Sequence, residues 1–293
     1  MLAETVFLAT YFLGNGEAGA YLAISEDGYH FRPLFEQPIL KPVIGKDRLM
    51  RDPSLVRGPD GVWHMVWTTG WWERGIGVAH SRDLIHWSEQ EEIPVMASFP
   101  NAINAWAPEI VYDPSFKRFQ IVWSSTLPDQ YLSTAHAQGD LSPAKVPLNH
   151  RFYFTTTRDF KTYESTRLLW DPGFNVIDAT LLKLDQRWLM IGKDETKAPV
   201  AKKHLFAATS TGAFGPFTMS APKITGPYWA EGPTAVRVDG KTRVYFDRYM
   251  EGKWGAVESS DLVHWTDISD RIQFPKGARH GSVVIVKRAD LPK

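Results

Sequence analysis

Two short segments recur along the whole chain, and their recurrence constrains the fold more than any other feature. One opens on a polar residue and turns apolar: Arg51-Asp52-Pro53-Ser54-Leu55-Val56, Pro108-Glu109-Ile110-Val111, Ile177-Asp178-Ala179-Thr180-Leu181, Glu231-Gly232-Pro233-Thr234-Ala235-Val236 and Arg279-His280-Gly281-Ser282-Val283-Val284. The other is Ser-x-Asp followed by an aromatic, in Ser25-Glu26-Asp27-Gly28-Tyr29, Ser81-Arg82-Asp83-Leu84-Ile85-His86-Trp87 and Ser259-Ser260-Asp261-Leu262-Val263-His264-Trp265. Thr157-Arg158-Asp159-Phe160 and Ser210-Thr211-Gly212-Ala213-Phe214 are weaker copies. Units spaced roughly fifty to seventy residues apart must each be a supersecondary piece that buries its surface against its neighbours. The runs inside them, Val62–Thr69, Phe119–Ser125, Trp188–Gly192 and Arg243–Phe246, are β-branched and aromatic, each preceded by a turn signal such as Gly58-Pro59-Asp60-Gly61 or Asp239-Gly240. No long 3.6-residue period competes with them. Blade-sized repeats of strands predict an all-β, five-bladed β-propeller, in which radial repetition limits exposed sheet edges. The last unit lacks strands after its opening segment, so the N-terminal runs Val6–Phe12 and Ala20–Ser25 are expected to complete the blade begun by His280–Lys287 and close the ring. That reading makes residues 1–293 one domain; a pair of β-sandwiches is the competing arrangement.

Composition narrows the function. Lys plus Arg and Asp plus Glu are 33 each, so no net field draws the chain to nucleic acid or to an anionic membrane surface. No apolar run approaches the ~18 residues of a membrane span. There is no cysteine, which removes disulfides, thiolate metal sites and a Cys nucleophile. Met1 to Thr10 has no basic start and is interrupted by Glu4, unlike a signal peptide. The compartment stays open, an exported and processed chain included, and so does the oligomeric state. Aromatic residues make up 13% of the chain, with twelve Trp. Most fit a packed β core; Trp71, Trp72, Trp106 and Trp229 fall in loops beside the polar openers, where indole faces suit stacking on sugar rings.

In a propeller the first strand of each blade lines the central channel, and its starting residues converge at one mouth. The openers Asp52, Glu109, Asp178, Glu231 and His280 are therefore expected at equivalent positions around the axis. Carboxyl groups crowded together cannot all ionise freely, and splitting their pKa values into an acid and a base is what glycosidic hydrolysis requires. Each candidate has a plainer reading. Asp52 could only start a turn, Glu109 could be a structural ion-pair partner and His280 a satisfied core histidine. His86 and His264 occupy one slot of the repeat and are read as blade packing. Arg48, Arg51 and Arg279 could pair with the acids or bind hydroxyls, although strand alternation points Arg51 and Arg279 away from the channel. The segment Leu127–Asn149 reads as an excursion from the second blade, bordering a leaving-group subsite or only the surface.

Arg51-Asp52-Pro53, Trp106-Ala107-Pro108-Glu109, Ile177-Asp178-Ala179, Ala230-Glu231-Gly232-Pro233 and Arg279-His280-Gly281-Ser282, in this order, resemble glycoside hydrolase family 43. The resemblance runs from about Asp52 to the end of the chain. It implies an inverting hydrolase on a five-bladed propeller. Asp52 would be the general base, Asp178 the carboxylate that tunes and orients the acid, and Glu231 the general acid, its pKa raised by ionised Asp178. His280 would stand by a cation or water on the axis, making a structural Ca2+ there possible while the chemistry itself needs no cofactor. Glu109, the tryptophans, Arg279 and His280 would contact substrate. Two positions depart from the family pattern: Glu109 stands where Asp is usual, and Ala179 where Pro is common. No Asn-Asp-Pro-Asn segment of the retaining fructosidases is present. Inversion needs base and acid roughly 6.5–9.5 Å apart. The implied substrate is an oligo- or polysaccharide, with α-L-arabinofuranosidase or β-xylosidase as the expected type. A galactosidase-type hydrolase and a non-catalytic carbohydrate-binding propeller are the alternatives.

Overall fold

Strand after strand in this chain is apolar at successive positions, and the packing accounts for it. Side chains alternate between the two faces of a strand. Val66 falls in one hydrophobic cluster and its neighbour Met65 in another; Val6 and Leu8 enter one cluster while Phe7 and Ala9 enter a third. Both faces of these sheets are therefore covered, which replaces hydrophobic-polar alternation by continuous apolar runs.

The computed structural model describes residues 4–135 and 140–292. Its strands form five four-stranded sheets. The first blade is β4 (Arg51–Arg57), β5 (Trp63–Thr68), β6 (Ile76–Ser81) and β7 (Glu91–Ile93). The second is β8 (Trp106–Asp113), β9 (Arg118–Ser125), β10 (Arg151–Thr157) and β11 (Arg167–Trp170). The third is β12 (Val176–Lys183), β13 (Trp188–Asp194), β14 (His204–Ser210) and β15 (Thr218–Ala221). The fourth is β16 (Glu231–Val238), β17 (Lys241–Arg248), β18 (Lys253–Ser259) and β19 (Thr266–Asp267). In the fifth, β20 (Val283–Lys287) pairs antiparallel with β1 (Thr5–Phe12), followed by β2 (Ala20–Ser25) and β3 (Arg32–Pro33). The innermost strands β4, β8, β12, β16 and β20 contact one another in ring order. Five hydrophobic clusters sit between adjacent blades, with Trp63, Trp67 and Trp123 fully buried among them. This is an all-β, five-bladed propeller. No helix among the described residues is long and apolar enough to cross a membrane.

The Ser-x-Asp pieces are the turns after the third strand of a blade. Ser81 Oγ accepts the Leu84 amide at 2.8 Å, and Asp83 Oδ1 accepts the amides of Ile85 and His86 at 2.9 and 2.7 Å. Ser25, Thr157 and Ser259 repeat the arrangement. His86 and His264 are not blade packing: each Nδ1 bonds its own Asp, Asp83 or Asp261, and each side chain is 86% exposed. The Leu127–Asn149 excursion leaves the second blade between β9 and β10 and brings Asp140, Leu141 and Leu148 to the rim of the central cavity. Residues 136–139 of it, like residues 1–3 of the N-terminal stretch, lie outside the described residues.

Candidate active site

Every inner strand begins with the same irregularity. Arg51 faces Thr68 but Ser54 faces Val66, so the inner strand spends three steps where its partner spends two. The same extra residue occurs between Trp106 and Glu109, Ile177 and Thr180, and Glu231 and Thr234. In the fifth blade it falls between Arg279, opposite Phe12, and Val283, opposite Ala9. At these β-bulges the residue after the first turns left-handed: Asp52 (φ 53°), Ala107 (49°), Asp178 (57°) and Gly232 (58°). A bulge re-aims side chains and suspends alternation. Consecutive residues therefore both line the cavity, as Arg51 with Asp52 and Arg279 with His280 do. Arg51 and Arg279 accordingly face the cavity, against the expectation from regular alternation.

The bulges also correct the expected equivalence of the five openers. Asp52, Asp178 and His280 share one level of the ring. Glu231 stands one residue earlier, at the level of Arg51 and Arg279, while Glu109 stands two residues later, one layer deeper. Glu109 does not line the cavity. Its carboxylate accepts hydrogen bonds from Ser54 Oγ (2.8 Å) and Thr180 Oγ1 (2.7 Å), and burial raises its pKa to about 7 against those bonds. It is thus placed as a structural carboxyl beneath the site rather than as a substrate contact. At the Asp52 level the fourth blade needs glycine, since a Cβ on Gly232 would lie 2.3 Å from Cγ of His280.

The cavity holds about 700 Å³ and is lined from all five blades. Asp52 receives Thr68 Oγ1 at 2.8 Å and faces His280 Nδ1 at 3.2 Å. Burial works to raise the Asp52 pKa, but the His280 bond and charge, then Arg51 and Thr68, bring it down to about 2. His280 is the counterpart: burial opposes its charge, while Asp178, Asp52 and Glu231 raise its pKa to about 9. Asp178 accepts the Gly232 amide at 2.9 Å, and burial lifts its pKa to about 6 despite His280 and Lys193. Glu231 reverses the expected sign. Burial pushes it up, but Lys193 Nζ at 3.0 Å from Oε2 and Arg279 Nη2 at 2.8 Å from Oε1 hold it below the ordinary carboxylate range. An opposite charge in contact outweighs a neighbouring carboxylate. Lys193 itself keeps its charge in full burial because Glu195 (2.6 Å), Glu231 and Asp178 surround it.

Trp71, Trp72, Trp106 and Trp229 all line the cavity. Trp106 donates its Nε1–H to the Trp71 carbonyl at 2.7 Å, and its ring centroid lies 5.7 Å from those of both Trp71 and Trp72. Arg51 covers Trp71 at 4.4 Å. Across the cavity Trp229 sits 6.1 Å from Tyr249. Thr68, Lys193, His150 and Tyr249 are cavity residues that the motif reading did not single out. Thr68 and Lys193 carried a signal, a polar residue near the end of an otherwise apolar second strand (WHMVWT, WLMIGKD). For the axial cation expected beside His280 the surrounding side chains offer few ligands. The Nδ1 of His280 is engaged by Asp52, and among the described residues no group of three His, Asp or Glu side chains is arranged to hold a metal.

A five-bladed propeller whose axial cavity gathers carboxylates under a wall of tryptophan is of the glycoside hydrolase class. The family model described as "Probable glycosyl hydrolase domain", a relative of family 43, matches residues 4–291, and the chain belongs to that family of glycoside hydrolases. No curated protein matches the sequence significantly. Among solved structures the chain is similar to an α-L-arabinofuranosidase from Lactobacillus brevis (16% identity, 74% of this chain and 72% of that one, TM-score 0.55). It is also similar to a xylan β-1,4-xylosidase from Bacillus halodurans (19%, 74% and 41%, 0.54) and an exo-β-1,3-galactanase from Clostridium thermocellum (14%, 74% and 47%, 0.55). At these identities the likeness is one of fold.

Proposed function

We propose that the protein hydrolyses glycosidic bonds of plant-type oligo- or polysaccharides by a single inverting displacement, and that it is of the α-L-arabinofuranosidase or β-xylosidase type. The observation that supports this best is the convergence of Asp52, Asp178 and Glu231, from three separate blades, on one cavity with their affinities for protons pushed apart. Asp52, ionised down to about pH 2, takes the proton of the attacking water as that oxygen bonds the anomeric carbon. The bond from that carbon to the leaving oxygen breaks, and the oxygen takes a proton from Glu231. In the free site Glu231 is the ionised member of an interacting pair and Asp178 the more readily protonated one, so the proton enters through the pair rather than through either group alone. A sugar filling the cavity displaces water, and that further desolvation raises the Glu231 pKa toward its role. No step requires a metal. The α-L-arabinofuranosidase and the β-1,4-xylosidase among the similar folds favour pentose, with the galactanase as the competing substrate type.

The test is a panel of 4-nitrophenyl arabinofuranosides, xylosides and galactosides. Asp52→Asn and Glu231→Gln should each lose ~10²–10⁴ in kcat. A dinitrophenyl leaving group, which needs no protonation, should restore Glu231→Gln but not Asp52→Asn. Proton NMR of the first sugar formed should show the inverted anomer. Parental rates in either variant, or a retained anomer, overturn the mechanism; turnover of galactosides alone moves the substrate class.

A further inference from the structure

The second strand of each blade offers one residue directly opposite the start of the inner strand, and two blades use it to hold a site carboxylate. In the first blade that residue is Thr68, whose hydroxyl bonds Asp52 at 2.8 Å. In the third it is Lys193, whose ammonium reaches across to Glu231 at 3.0 Å. In the second it is Ser124, beside a bulge that carries Ala107 and so has no carboxylate to hold. The fourth blade places Asp247 there, paired across the strands with Glu231 itself. Asp247 is fully buried and does not line the cavity. Its Oδ2 accepts Nε–H of Arg279 at 2.6 Å, and Nη2 of the same guanidinium donates to Glu231 Oε1 at 2.8 Å. Its Oδ1 is buried with no hydrogen-bond partner among the described residues.

We propose that Asp247 is a positioning residue: through Arg279 it aims the Glu231 carboxylate into the cavity. A buried carboxylate with one oxygen unsatisfied carries a desolvation cost that its bond to Arg279 only partly offsets. What the carboxylate supplies is direction. A guanidinium is a rigid planar fork, so fixing its Nε edge fixes where its Nη2 edge points. Without Asp247, Arg279 is free to turn toward any acceptor in reach, and Glu231 keeps only Lys193. Displacements on the scale of 1 Å at a reacting group cost ~10² in rate. The inference rests on the reading of Glu231 as the acid, and its test separates the two.

The experiment measures kcat, KM and Tm on the 4-nitrophenyl glycoside turned over by the parent, for Asp247→Ala, Asp247→Asn, Arg279→Ala and the Asp247→Ala/Arg279→Ala pair, with Glu231→Gln alongside. Asp247→Ala should lower kcat ~10²-fold while KM stays near the parental value. Asp247→Asn, which keeps the shape and one acceptor for Nε, should recover part of that loss. The double variant should fall no further than Arg279→Ala alone, because both act through one guanidinium. Parental kcat in Asp247→Ala, or losses that multiply in the double variant, overturns the proposal. If Asp247→Ala melts far below the parent, Asp247→Asn decides: a Tm and kcat both at the parental level overturn it. Loss of activity in Glu231→Gln with none in the Asp247 variants removes only the positioning role, whereas a parental Glu231→Gln removes the acid assignment beneath it.

Discussion

The electrostatics of the site turn on one residue, Lys193, whose ammonium lies 3.0 Å from Glu231 Oε2. Asp52, Asp178, Glu231 and His280 are found from their places in a repeat, and the fold brings all four to one cavity. What the repeat conceals is who touches whom. Lys193 stands thirty-eight residues from Glu231 in sequence and reads as a polar residue near the end of an ordinary strand, yet its contact with Oε2 turns the expected rise of the Glu231 pKa into a fall. The consequence can be measured. Lys193 stabilises the ionised forms of both Glu231 and Asp178, so Lys193→Met should raise the pKa of the proton-donating pair. Activity that requires a protonated acid is lost as pH rises through that pKa. The basic limb of the kcat/KM profile should therefore move to higher pH in Lys193→Met. An unmoved limb, with the fold intact, would detach Lys193 from the acid.

At the scale of elements, the strands followed directly from their composition. The expected run Phe119–Ser125 is β9 with one residue added, and Trp188–Gly192 is the body of β13. The bulge went unread although Arg51-Asp52-Pro53, Trp106-Ala107-Pro108 and Glu231-Gly232-Pro233 carry its mark, a proline that a central strand tolerates only at its first residue or at a bulge. It nonetheless decides which residues meet, setting Glu109 a layer below Asp52 and turning Arg51 and Arg279 inward. Gly232 is where the device leaves no slack. Its φ of 58° is left-handed, and any Cβ would meet the His280 ring. Gly232→Ala should cost ~1–3 kcal/mol of stability, read as a lower denaturation midpoint. It should also lower kcat, since His280 has to move away from Asp52. A variant of parental stability and rate would show that the fourth-blade bulge is not confined as described.

At the scale of the whole molecule, the charges gathered on the axis set how stability responds to pH. Asp178 and Asp247 have their pKa values raised from 3.8 to about 6, Glu109 from 4.5 to about 7 and His280 from 6.5 to about 9. Each binds its proton more tightly folded than unfolded. Its contribution is therefore full below the unfolded value and lost as pH rises to the folded one. For the three carboxyls that loss spans roughly pH 4 to 7, and for His280 roughly pH 6.5 to 9. Asp52, held near 2, runs the other way: its contribution is full above about 4 and lost as pH falls toward 2. Buried His64 and His150, brought down to about 4 and about 3, oppose the three carboxyls between roughly pH 4 and 6.5, so Tm should change little there and decline from pH 7 to 9, where His280 carries the loss. His280→Gln should flatten that upper segment while leaving the profile below pH 7 in place. A parental Tm that holds level from pH 7 to 9 would mean that the imidazole is not charged between Asp52 and Asp178, and that the axis keeps its carboxylates apart by some other means. Of the groups that bind their protons more tightly in the folded chain, only Asp178 is paired with the proposed acid Glu231, so the stability profile reports on the axis as a whole and the activity profile on that pair.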